Sequence, residues 1–315
     1  PVEGVAFRVY DAQGRPTSFA ELIAATEDTD ALLVGENHDD AVGHALEAEI
    51  LIRAAQRVGA VGGEGDGGRA VVLSLEMFEQ DVQYILDEYL AGLITEDQFK
   101  ASARPWPGYA TDYRTMVEFA RAHDLPVVAA NAPRRYVNRV SREGAGSLSD
   151  LPDAARAFLP PRPYPGPSDA YTQQWNDVMA GPMSETCALP GDAPVEHGMP
   201  STGEEDEAEG EEMPAMDHGM MGRILQAQAL WDAAMGYSIV QALDANPGAL
   251  LVHYVGGFHV AYGTGIPERV SDYGPGTRVT TVMMEPVHDI QTWDEEEHGG
   301  LGDFVVLTQC PAQTP

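Results

Sequence analysis

"LLVGENHDDAVGH", residues 32–44, sets a glutamate, two histidines and two aspartates directly behind a short apolar run. An apolar run of this length without polar alternation suits a strand covered on both faces. Residues two apart in an extended chain lie on the same side. Gly-Glu-x-His at the strand's end therefore delivers the Glu36 carboxylate and the His38 imidazole to one place.

The same rhythm continues along the chain. Apolar runs at 31–35, 70–78, 126–132, 249–257, 277–286 and 303–309 alternate with helical patterns at 44–58, 111–123 and 223–243, where apolar residues recur every three or four positions. This alternation predicts an α/β fold with a mainly parallel central sheet flanked by helices, the whole chain 1–315 forming one domain. In such sheets ligands bind beyond the carboxyl ends of the strands. Glu36 and His38, then Glu76, Asn131, and the run from Gly256 to His259 all fall at strand ends, so one rim is expected to gather them.

Composition narrows the partners. Fifty acidic residues face 18 basic ones, of which only Lys100 is a lysine, for a net charge of -32. Such a surface repels phosphate backbones and anionic lipid, which argues against nucleic acid; it reads as a solvated surface tuned for high ionic strength. No apolar run approaches the length of about 18 residues that spans a bilayer. The chain opens at Pro1 without a signal-peptide core, which fits a mature exported protein. Its two cysteines, Cys187 and Cys310, stand outside any CxxC spacing, and could join in an exported protein or stay reduced in the cytosol.

Two stretches break the rhythm. The glycines of 61–70 precede a strand and lack GxGxxG spacing, so a phosphate loop is not expected. Residues 184–217 form an acidic, Pro/Gly-rich insert whose composition predicts a flexible segment. In and just after it, His197, Met199, Met213, Met216, His218, Met220 and Met221 mix imidazoles with thioethers, a donor set that suits copper. The bland alternative is an acidic loop that happens to contain them.

Gly35-Glu36-Asn37-His38 and Gly256-Gly257-Phe258-His259 are two Gly-x-x-His units, each directly after a predicted buried strand, with Glu76 at a third strand end. A buried carboxylate or imidazole costs several kcal/mol unless paired or bound. Two such units at equivalent ends therefore mark a site. Together with "LSLEMFEQDVQ", "WPGYATDYRTMVEFARAHDLPVVAANAPRRYV", "AQALWDAAMGYSI" and "GGFHVAYGTGIPERV", they resemble the ChaN family of haem-binding, iron-regulated lipoproteins over residues 28 to 285. That family is similar in turn to the Tiki proteases, the TraB proteins and the erythromycin esterases. The resemblance implies that Glu36, His38, Glu76 and His259 occupy the shared site, and that Asn131 and Arg134 match a further family run.

Two functions follow. The resemblance implies a haem carrier, periplasmic or lipid-anchored at the outer membrane through an anchor lost from this chain, binding haem as a homodimer for uptake or carriage. Haem needs an apolar slot and an axial ligand, for which His253, Tyr254, His259, Tyr262, Tyr171 and His218 are candidates. The alternative is a hydrolase in which Glu36, His38, Glu76 and His259 activate water, or two histidines and a carboxylate hold a divalent metal. Neither a GxSxG elbow nor an HExxH motif is present.

Overall fold

The computed structural model describes residues 1–62, 68–180 and 218–311. β1 (Phe7–Asp11) and α1 (Phe19–Ala25) lead into β2 (Ala31–Glu36), α2 (Ala41–Arg57) and β3 (Val71–Glu79). Three helices, α3 (Gln83–Leu90), α4 (Glu96–Ala103) and α5 (Arg114–Ala122), precede β4 (Val127–Asn131). After β4 come α6 (Arg134–Glu143), the short α7 (Asp153–Arg156), α8 (Asp169–Ala180) and the long α9 (His218–Ala245). The chain finishes with β5 (Leu250–Gly256), α10 (Ile266–Tyr273), β6 (Val279–Val287), the one-turn α11 (Glu295–His298) and β7 (Phe304–Gln309).

The seven strands form one sheet in the order β1-β7-β6-β2-β5-β3-β4. All pairs are parallel except β1 with β7. The α/β class and the mainly parallel sheet expected from the alternating runs are thus what the chain adopts. β2 and β5 are buried at every residue, as continuous apolar runs require when both faces are covered.

Alternate residues of each strand feed two cores. Leu32 and Val34 pack with Leu46, Ile50 and Leu51 of α2 and with Met116 and Val117 of α5 on one face. Leu33, Leu251 and Val255 pack with Leu230, Ala234 and Ile239 of α9 and with Val270 of α10 on the other. The turn from β2 into α2 is fixed by Asp40, whose side chain caps the helix by accepting from the Val42 N–H at 3.0 Å and takes the Thr308 hydroxyl at 2.5 Å.

The acidic segment 184–217 and Cys187 lie outside the described residues. Cys310 follows β7 and is disulfide-bonded. Among the described residues no helix is long and apolar enough to cross a membrane.

The central position of β2 has a measurable consequence. Leu32→Ala, at a fully buried position, should lower unfolding free energy by about 2–5 kcal/mol in denaturant titrations. Tyr84→Ala, at a residue 64% exposed, should change it by no more than about 0.5 kcal/mol. Equal effects would mean that β2 is not the middle of the core.

Candidate functional site

β5 and β6 lie on opposite sides of β2, so their carboxyl ends open a crevice where the chain crosses from one to the other. Here the glycines of the two Gly-x-x-His units face each other. A Cβ on Gly35 would come 2.6 Å from Met283 Sδ and 3.0 Å from Gly257 Cα. A Cβ on Gly256 would come 3.0 Å from His38 Nε2, so only a bare backbone lets the His38 ring approach this closely. Trp106 meets the same imidazole edge to face, with ring centroids 5.1 Å apart.

Glu36 points toward α2 and α5. Its Oε1 binds His38 Nδ1 at 2.7 Å and accepts the Tyr113 hydroxyl at 2.9 Å. Its Oε2 lies 3.2 Å from His44 Nε2, whose Nδ1 stands 3.4 Å from Asp112. Burial of Glu36 favours the neutral acid, but the hydrogen bond with His38 and the His44 imidazole close by outweigh it and hold the carboxyl far below the usual carboxylate range.

On the other face, Glu76 Oε2 accepts the Gly256 N–H at 2.8 Å, while Oε1 lies 3.9 Å from His259 Nε2. His259 Nδ1 is held at 2.6 Å by Asp232 of α9, which fixes the ring and leaves Nε2 toward Glu76. The structure thus brings Glu36, His38, Glu76 and His259 to one rim. Burial alone would lower the pKa of His38, His44 and His259. The carboxylates beside them reverse this: Glu36 raises His38 and His44, and Asp232 followed by Glu76 raises His259.

A cavity of about 400 Å³ opens over these residues. Glu36, His38 and His259 meet it on one side, and Trp175, Phe258, Met179, Met283 and Leu301 supply its apolar wall. Glu285 also lines it; burial, then the charge on Asp40, push its carboxyl up to about 7.

The other candidates are placed elsewhere. His253 is wholly buried against Ser74, 2.9 Å from its hydroxyl, and burial, then the His259 charge, push it down to about 3, so it is neutral. Tyr254 is wholly buried and donates to the Glu47 carbonyl at 2.8 Å. Tyr171 is buried near Asp232 and meets Phe258 at a tilt of 60°, with ring centroids 5.2 Å apart.

Tyr262, 52% exposed, is not part of the cavity lining but follows Ala261, which is, and has a left-handed backbone (φ 60°) fixed by its N–H donating to the carbonyl of Leu301, another lining residue, at 3.0 Å. Asn131 is buried at the end of β4, and the Arg134 guanidinium lies 6.0 Å over the Trp231 ring. His218, Met220 and Met221 form the first turn of α9, while His197, Met199, Met213 and Met216 lie outside the described residues. Among the described residues no group of three or more His, Cys, Asp or Glu side chains is arranged to share a metal ion.

Asp232, His44 and Tyr113 are site residues that strand-end reasoning does not find, because helices deliver them. The signal for Asp232 is a single charge inside the apolar run "AQALWDAAMG"; for His44 and Glu47 it is polar residues in phase with the buried stripe of α2.

Fold and rim together define an α/β protein with paired Gly-x-x-His motifs at the sheet's carboxyl edge. The chain belongs to the ChaN haem-binding family: the family described as haem-binding uptake, Tiki superfamily, ChaN, matches residues 22–270. In fold it is similar to ChaN of Campylobacter jejuni, a protein described with cofacial haem, at a TM-score of 0.65 and 13% identity over 98% of this chain and 99% of that one. RETICULATA-RELATED 5, a chloroplastic protein of Arabidopsis thaliana, is 23% identical over 247 residues, 76% of this chain. The chain spans 29% of the length of that relative.

The pH dependence follows from the signs above. The stability contributed by His38, His44 and His259 is complete below the ordinary histidine range and is lost as pH rises through their raised values. That contributed by Glu36 is complete above the ordinary carboxylate range and is lost only in strong acid. Asp232→Asn should therefore shift the His259 imidazole titration, followed by NMR, to lower pH. An unmoved titration would show that Asp232 does not hold that charge.

Proposed function

We propose that this protein binds haem at the rim beside the two Gly-x-x-His motifs and carries it at the cell envelope in haem or iron uptake. The observation that carries this reading is the 400 Å³ cavity, apolar on one wall, whose lining residues Ala261 and Leu301 hold the backbone of the exposed Tyr262. That volume falls in the range of small-ligand sites, and haem needs such an apolar slot together with one axial donor.

Among the candidate donors, Tyr262 fits best. His259 has its Nδ1 on Asp232 and its Nε2 toward Glu76, and His253 and Tyr254 are enclosed in the sheet. Among the described residues no lysine or arginine lines the cavity, whereas Glu36 and Glu285 do. The porphyrin therefore enters with its apolar edge inward and its propionates in solvent. Val178 of the cavity lining is 58% exposed, an apolar surface that favours a second copy covering the haem in a homodimer. The disulfide at Cys310 supports an oxidising compartment outside the cytoplasm.

One observation favours a second reading, hydrolysis. The same cavity presents two carboxylate-held imidazoles, His38 on Glu36 and His259 on Asp232, the arrangement that activates water.

Haemin titration separates the two. Stoichiometric haemin should give a saturable Soret shift, and Tyr262→Phe should weaken binding at least tenfold and change the spectrum. Burial, then the Glu285 and Asp177 charges, raise the Tyr262 phenol, so a phenolate ligand binds with release of a proton and affinity should rise with pH. Weak, nonsaturating changes together with ester or peptide turnover that Glu36→Gln abolishes would replace the carrier with the hydrolase.

A further inference from the structure

A second, much smaller cavity lies at Asp232, the residue that holds His259. Its volume is about 10 Å³, room for a single water molecule. Three helices wall it: Tyr171 comes from the first turn of α8, Asp232 from α9 and Arg269 from α10. At 1%, 2% and 6% exposed, all three are inside the protein.

Each brings a polar atom with no aligned hydrogen-bond partner among the described residues: the Tyr171 hydroxyl, Asp232 Oδ2 and Arg269 Nε. Buried polar groups are normally satisfied, by protein or by ordered water. Three such atoms on side chains that wall one water-sized cavity call for a shared partner.

The other atoms of these side chains are committed. Asp232 gives Oδ1 to His259 Nδ1 at 2.6 Å, which leaves Oδ2 over. One terminal nitrogen of Arg269 donates to the Gly166 carbonyl at 2.9 Å, the other reaches Glu268 at 3.3 Å, and Nε stands 3.4 Å from Asp272, out of line for a hydrogen bond. Gly265, at φ 64°, keeps the space clear: a Cβ there would come 3.2 Å from the Tyr171 ring and 2.6 Å from the His259 carbonyl oxygen.

The donors and acceptors match one water. A guanidinium N–H only donates and a carboxylate only accepts, while a phenol can donate. Burial, then the Asp232 charge, push the Tyr171 phenol well above its ordinary value, so it keeps its proton. We propose that this cavity binds one water molecule, which accepts from Arg269 Nε and the Tyr171 hydroxyl and donates to Asp232 Oδ2, and that Tyr171 acts through it as a positioning residue for His259.

A donor on Oδ2 draws charge away from Oδ1 and so limits how far Asp232 raises the His259 imidazole. Tyr171 shares α8 with Gln174, Trp175 and Met179, which line the main cavity. The helix that forms that wall therefore also sets the proton affinity of the His259 ring facing it.

Two measurements test this on the full chain without haem or substrate. A high-resolution crystal structure should show a water within hydrogen-bonding distance of all three atoms. No water there, or a Tyr171 hydroxyl bonded directly to Asp232, overturns the water site. Tyr171→Phe keeps the ring against Phe258 and removes only the hydroxyl. Followed by NMR, it should raise the His259 titration by about half a pH unit or more, opposite in direction to Asp232→Asn. A titration that stays in place or moves down overturns the role of Tyr171. Neither result depends on what the main cavity binds.

Discussion

The structure turns on the burial of one carboxylate at the end of its central strand. Glu36 is 4% exposed, and an ionised carboxyl at that depth costs several kcal/mol unless it is fully paired. Its partners come from three separate places: His38 from the turn after β2, His44 from the first turns of α2, and Tyr113 from the start of α5, 77 residues away in sequence. These contacts draw the turn and two helices to one strand end. Removing any one of them leaves a buried charge short of a partner, so the group behaves as a unit and not as a sum of pairs.

Close backbone approach lets the second motif join the first. Gly35, Gly256 and Gly257 leave out the side chains that would separate the ends of β2 and β5. His38 lies over Gly256, and the Gly256 N–H is taken by Glu76. Glu36 and Glu76 thus serve opposite faces of the sheet and meet at its edge. The cavity above them is polar at the rim and apolar along α8 and β6, where Trp175, Met179 and Met283 lie.

Much of this was legible in the sequence, for a physical reason. Strands buried on both faces are continuous apolar runs, so the six parallel-paired strands stand out, and residues at their ends are marked by position alone. β1 does not stand out because it is a five-residue edge strand whose Phe-Arg-Val-Tyr-Asp reads as ordinary mixed polarity. The rim residues Glu36, His38, Glu76 and His259 follow from the strands, but Asp232, Tyr113 and His44 do not, because contacts made by helices depend on how the helices pack. Choosing among the aromatic and imidazole candidates likewise required tertiary facts: His253 and Tyr254 sit in the same strand as the motif yet are sealed inside it, while Tyr262, a few residues later, stands in the open.

The proposed haem site is the crevice left by the glycine-permitted meeting of the two motifs, with Tyr262 as its ligand. A crystal structure of the haemin-saturated protein tests it most directly. Iron should lie within bonding distance of the Tyr262 oxygen, with the apolar porphyrin edge against Trp175 and Met283 and the propionates in solvent. Haem found away from this rim, or bonded to a residue of the opposite sheet edge with the cavity unfilled, would contradict it.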